Sequence, residues 1–155
     1  MPAYSFLDFT GTLAGPFGSL DLSAQSAAAA EEGIEIDMTE DKSSMIIGAG
    51  GAGQHNLHGT RAGRVTIHLL KVSPVNAKLL QLYKLQTTNT AVYHGRNTLT
   101  LGNVASGDFY TCLRGAFVKL PKNSYSKSGP ALDWMLDFIV IDPNLGVNGL
   151  DQPLI

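Results

Sequence analysis

Disulfide bridges are closed to this sequence: its 155 residues include a single cysteine, Cys112, which suits a reducing compartment. Long apolar runs are also missing. Short ones such as Phe138 to Ile141 fall far below the ~20 apolar residues that cross a bilayer. Met1 to Leu13 carry neither a basic n-region nor a continuous apolar stretch, so no signal peptide is expected. A soluble cytoplasmic domain is the default, with no membrane partner. Charge is scarce, at 15% of residues against about 25% in ordinary soluble domains. Two explanations fit: other subunits cover much of the surface, since interface cores are depleted of charge, or the surface is polar and uncharged, rich in Ser, Thr, Asn and Gly. A net charge of -2 and a pI near 6.0 exclude a global attraction to nucleic acid or anionic lipid.

The charges that are present fall into blocks. Residues 1–60 hold eight acidic side chains and one base, Lys42. Residues 61–127 hold ten bases and one acid, Asp108. From Ser128 onward there are only acids, Asp133, Asp137, Asp142 and Asp151. Such blocks either cancel within one monomer or put opposite signs on opposite faces, which suits head-to-tail stacking of identical copies.

Apolar alternation predicts mainly β structure. Tyr4 to Leu13 reads as a strand, with a turn at Gly15–Gly18 and a short return over Ser19 to Leu22. Ser23 to Ala30 reads as a loop. Ile34, Ile36 and Met38 alternate with Glu35, Asp37 and Thr39, a half-buried strand with an acidic face. Glu40-Asp41-Lys42 reads as a hairpin tip leading into a strand over Ser44 to Ile47. Gly48 to Gly63, with its many glycines, reads as a long mobile excursion. Arg64 to Leu70 is a clear strand. Ser73-Pro74 opens a helix, since serine caps and proline is pre-set for the first turn. Val75, Leu79, Leu82 and Tyr83, widened by Leu80 and Leu85, form its apolar face. Asn97 to Leu101, Asp108 to Arg114, Ala116 to Leu120 and Asp133 to Ile141 complete the strands. The pattern predicts an antiparallel β-sandwich or barrel with one flanking α-helix, as a single domain over residues 1–155 with a glycine-rich loop at about 41–62.

Catalytic motifs fail one by one. Gly48 to Gly53 fits G-x-G-x-x-G, but that pattern works when a helix N-terminus follows and points its amides at a pyrophosphate. Gln54 to Gly59 is too short and too glycine-interrupted for that helix, and no acidic ribose partner follows. His55 and His58 lack further ligands at zinc spacing, so they read as polar loop residues and no metal is expected. Glu31-Glu32 lies in a solvated charge run rather than a glycosidase pair. Cys112 reads as a small packing residue. No catalytic residue and no cofactor is predicted.

Several segments, in order, resemble the tail tube proteins of contractile-tailed bacteriophages. They are Tyr4 to Asp8, Glu31 to Ile34, Glu40 to Lys42, His55 to His58, Gly63 to Leu70, Lys71 to Ala77, Gln86 to Thr88, Gly107-Asp108 and Ala116 to Pro121. The resemblance implies a non-enzymatic virion tail protein, assembled in the host bacterial cytoplasm. Its copies would form hexameric rings stacked into a tube, with strands of each subunit building an inner barrel. Tail sheath, tape-measure and baseplate proteins would be partners, and DNA would pass transiently through the lumen. A long hairpin or loop would reach the neighbouring ring; by position this is Asp41 to Arg61, with Asp41, Lys42, Met45, Gln54, His55 and Leu57 as contact candidates. Glu35 and Asp37 are candidates for the lumen, where tight phosphate binding would hinder sliding. The competing readings are a tube-initiator or baseplate hub ring, a secreted tube-like effector and, from another class, a nucleotide-binding enzyme using Gly48 to Gly53.

Overall fold

The strands lie where apolar and polar side chains alternate, and glycine, asparagine or proline interrupts them. A computed structural model describes residues 8–16, 18–22, 29–103 and 107–145. In chain order its elements are β1 (Phe9–Gly15), β2 (Gly18–Asp21), β3 (Ala29–Met38), β4 (Ser43–Ile47), β5 (Gly53–Leu57), β6 (Gly63–Leu69), α1 (Val75–Thr88), α2 (Thr90–Tyr93), β7 (Asn97–Asn103), β8 (Asp108–Lys119) and β9 (Leu132–Asn144). Among the described residues seven strands form one antiparallel sheet in the order β2-β1-β7-β8-β9-β6-β3, while β4 and β5 pair with each other in a second. The protein is mainly β, a barrel-like sheet flanked by one substantial helix, as predicted.

Four local expectations change. β1 starts at Phe9, and the predicted strand residues Tyr4 to Leu7 lie outside the described residues. Of the predicted loop Ser23 to Ala30, Ala29 and Ala30 belong to β3, while 23–28 lie outside the described residues. Glu40 to Lys42 is not a hairpin tip, because β3 turns away to pair with β6 and β4 pairs with β5. Asp108 to Lys119 is one strand rather than two, continuous through Arg114 at a φ of 58°.

Arg114 marks a β-bulge. Leu99 faces Cys112 while Asn97 faces Gly115, so β8 carries one more residue than β7 across that step. β9 shifts with it: its buried residues run Leu132, Trp134, Leu136, Phe138 and then Ile141. A bulge sharpens strand twist, and the sheet here coils enough for its far edge to return. Ile34 and Ile36 of β3 thus line one cavity of about 260 Å³ with Phe9 of β1, Leu101 of β7 and Tyr110 of β8. The core within the coil includes Leu13, Val65, Ile67, Leu99, Leu136 and Phe138, each 1% exposed or less.

The cap of α1 falls on Pro74, one residue later than expected, and Ser73 Oγ accepts a hydrogen bond from the Val75 N–H at 3.3 Å. Val75 and Leu79 are buried, Leu80, Leu82 and Tyr83 pack against the core, and Leu85 stays open. Tyr83, Phe117 and Trp134 form an edge-to-face chain, with 5.9 Å between successive ring centroids, a preferred aromatic arrangement. The apolar stripe missed Gln86, which is 1% exposed. Its amide pairs reciprocally with that of Asn97 at 2.8 and 2.9 Å, and Asn97 Nδ2 also reaches the Gly115 carbonyl at 3.0 Å. Both buried amides are thereby satisfied, which avoids the penalty of an unpaired polar group.

Gly115 has a second duty, because a Cβ there would overlap the ring of Phe138. That ring is 1% exposed and has no free space to move into. Gly115→Ala is expected to cost about 1–3 kcal/mol through overpacking, read as a lower denaturation midpoint with an unchanged m-value. A variant as stable as the parent would show that the joint is soft.

Candidate assembly surfaces

The segment after β3 is an ordered hairpin rather than the mobile excursion predicted. Met45 pairs with His55, Ile46 with Gln54 and Ile47 with Gly53. The glycines make its tip: the Gly51 N–H donates to the Gly48 carbonyl at 3.0 Å, and the Gly48 N–H to the Ala52 carbonyl at 2.8 Å. Gly51 sits at a φ of 88°, a conformation that favours glycine. The dinucleotide-like motif is therefore a β-turn followed by a strand, with no helix end to receive a phosphate.

Pairing gives the hairpin two unlike faces, since side chains alternate along each strand. Met45, Ile47, His55 and Leu57 share one; Ser44, Ile46, Gln54 and Asn56 share the other. The second is largely polar and internally bonded, Gln54 Nε2 donating to Asn56 Oδ1 at 2.7 Å. The first is apolar and uncovered: Met45 is 58% exposed, Ile47 60% and Leu57 79%. The stalk is tied down by the His58 N–H to the Lys42 carbonyl at 2.8 Å, Lys42 Nζ to the Thr60 carbonyl at 3.2 Å, and the Thr39 N–H to the Ala62 carbonyl at 3.1 Å. Of the contact candidates, Met45, His55 and Leu57 are thus brought together. Gln54 lies on the opposite face, and Asp41 and Lys42 stand at the stalk.

Glu35 and Asp37 belong to a charged lattice on the outer face of β3, β6 and β9. Asp37 lies opposite Arg64, and Arg64 opposite Asp137. Arg64 holds Asp137 by two hydrogen bonds, at 2.8 and 3.2 Å. His68 Nδ1 meets Asp133 Oδ1 at 2.6 Å, and its Nε2, without a hydrogen-bond partner, lies 3.7 Å from Glu35 Oε2. The two predicted acids are therefore not isolated; each has a base beside it. The acids still outnumber the bases, Glu35, Asp37, Asp133 and Asp137 against Arg64 and His68.

The adjoining outer face of β1, β7 and β8 carries a feature that one-dimensional reading missed. Asp21, Thr12, Thr100, Thr111 and Asp142 stand side by side in one row across five strands. The individual threonines are visible in the sequence, but their alignment depends on strand order. Cys112 is fully buried, and burial pushes its thiol up to about 11, so it packs rather than reacts. Among the described residues, no His, Cys, Asp or Glu cluster is arranged to hold a metal, and no helix is long and apolar enough to cross a membrane.

Solved structures with this fold come from contractile injection systems. One is the tube-terminating cap of the anti-feeding prophage, with a TM-score of 0.57 and 11% identity, covering 94% of this chain and 93% of that one. Another is a PVC sheath/tube terminator in the extended state, with a TM-score of 0.55 and 14% identity, covering 93% and 96%. A third is a chain of the PVC sheath-tube complex, with a TM-score of 0.56 and 13% identity, covering 92% of each. No curated protein sequence matches. The fold class is thus that of contractile-system tube and terminator proteins. The chain belongs to the bacteriophage PhiTE tail tube protein family, whose model matches residues 1–146. It is a structural component of a phage tail and not an enzyme.

The charged lattice makes a pH prediction. Burial opposes charge on the His68 ring, but the hydrogen bond and charge of Asp133, with the charge of Glu35, outweigh it and raise its pKa above the ordinary 6.5. A raised folded-state pKa stabilises the fold fully below about pH 6.5, and the gain is lost as pH climbs through the folded value. Thermal unfolding followed from about pH 6 to pH 8 should therefore show His68→Gln closing its gap to the parent as pH rises. A pH-independent gap would remove the charged ring from the account.

Proposed function

We propose that this chain is the building block of the tail tube, its copies forming hexameric rings that stack into a channel for the tape-measure protein and then DNA. The observation that carries this reading is the hairpin face of Met45, Ile47 and Leu57, apolar and uncovered in a chain of a tail tube family. An apolar face this open on a soluble chain calls for a protein partner, and a second copy is the partner a tube supplies. Among the described residues β2 and β3 are the outermost strands of the sheet, and closing such edges through neighbours removes an aggregation hazard. Sheath and baseplate proteins are further partners, in keeping with the assemblies in which similar folds occur.

Asp41, Lys42, Met45, Gln54, His55 and Leu57 form the ring-stacking element in this reading, the apolar three by burial and the others around them. Glu35 and Asp37 face the lumen, in an acid-rich lattice that would repel DNA phosphates and keep the passage free of tight binding. A second reading, a ring that ends the tube, is favoured by the terminator and cap proteins among the similar folds.

Electron microscopy of the purified protein at high concentration separates the readings. Long tubes are expected; single rings that never stack would favour the terminator, and monomers at every concentration would sink both. Glu35→Lys with Asp37→Lys is expected to leave tubes intact and impair DNA delivery. Unchanged infectivity would take both residues out of the lumen.

A further inference from the structure

The apolar face of the hairpin has one titratable intruder. The face is built from three cross-strand pairs, Ser43 with Leu57, Met45 with His55 and Ile47 with Gly53. His55 stands in the middle pair, with Met45 directly opposite and Leu57 two residues along its own strand. Opposed side chains in a sheet are neighbours, and diagonal ones lie within reach. The imidazole therefore stands among Met45, Ile47 and Leu57, and like them it is exposed.

No counter-charge shares this face. β4, the strand paired with β5, offers His55 only Ser43, Met45 and Ile47. His58 meets Ser44 Oγ at 3.3 Å, and Ser44 belongs to the opposite face. Glu40, Asp41 and Lys42 precede β4 at the stalk, where Lys42 Nζ is turned to the Thr60 carbonyl. While the face is open, water solvates the imidazole in either protonation state. A copy that covers Met45, Ile47 and Leu57 covers His55 with them. A neutral imidazole tolerates that burial, whereas an imidazolium loses its hydration and gains no opposite charge.

We propose that His55 is a proton gate on ring stacking: the hairpin docks on the next copy with the imidazole neutral, and protonation opens the contact. The proposal rests on the stacking reading of the hairpin and supplies its regulation. The sign follows from linkage. Covering the ring favours its neutral form, so stacking is strongest above the ordinary histidine range, near pH 6.5, and weakens as pH falls below it. Excluding one proton per contact weakens that contact by up to about tenfold per pH unit. Stacked rings repeat the contact around the axis, so the loss of tubes with acid is steep.

Tube formation followed by light scattering and electron microscopy from about pH 8 down to about pH 5.5 tests the gate. The parent should form tubes at the upper end and lose them reversibly at the lower. His55→Gln and His55→Leu, neutral at every pH, should form tubes across the whole range. His55→Lys should form none while keeping the parent's melting temperature. His58→Gln, His68→Gln and His94→Gln should leave the transition where it is. Parent tubes that persist undiminished to the lower limit, tubes of His55→Lys, or a transition that survives in His55→Gln and His55→Leu overturn the gate and leave the tube reading standing. So does a transition that disappears with one of the other three histidines. Absence of stacked particles from the parent at every pH overturns the stacking reading and the gate with it.

Discussion

A missing side chain at Gly115 is the constraint on which most of this structure depends. Three things converge there: the Phe138 ring occupies the space a Cβ would need, the Asn97 amide takes the carbonyl, and Arg114 next to it adopts positive φ. Together they set the bulge that lets β8 and β9 change which residues face inward while staying in register. The extra twist of that bulge brings β3 round toward β1. The same residue ties in the helix, since Asn97 also holds Gln86 of α1. Sheet curvature and helix docking are therefore coupled through one backbone position.

That coupling reaches the assembly surfaces. β3 and β6 hold the hairpin stalk at one end of the sheet, and α1 begins at the other, where Leu69 pairs with Leu132. The distance and angle between those features follow from how the sheet coils. In the proposed tube this geometry would have to be reproducible, because a small error per ring would accumulate along the axis. A rigid joint at Gly115 meets that need better than a plastic core would.

The low charge content finds two explanations in different regions of the surface. On β1, β7 and β8 the outer face is uncharged because threonines fill it, in a row flanked by Asp21 and Asp142. On the hairpin it is uncharged because apolar residues fill one face and uncharged polar residues most of the other. Where charge is dense, around Arg64 and His68, bases and acids are interleaved across β3, β6 and β9. Exposed pairs of that kind add little stability, and their value lies in the sign of the face they leave.

Much of this protein was legible in its residues. The alternation of Val65, Ile67 and Leu69, the Ser73-Pro74 start of the helix and the hairpin at Gly15 to Gly18 are local patterns, set by side-chain periodicity and backbone preference. The mistakes share a cause. Glu40 to Lys42 looks like a hairpin tip because local turn chemistry cannot reveal that β3 has a better partner in β6. Gly48 to Gly63 looks mobile because its glycines hide a short strand whose support comes from β4. Gln86 falls outside the apolar stripe because only the arrival of Asn97 makes a buried amide affordable. The sequence by itself determined most of the strands, the main helix, the lack of a catalytic motif and the blocks of charge. The tertiary structure alone decided which strands pair, which threonines line up and which ends face apart, because those depend on contacts between residues far apart in the chain.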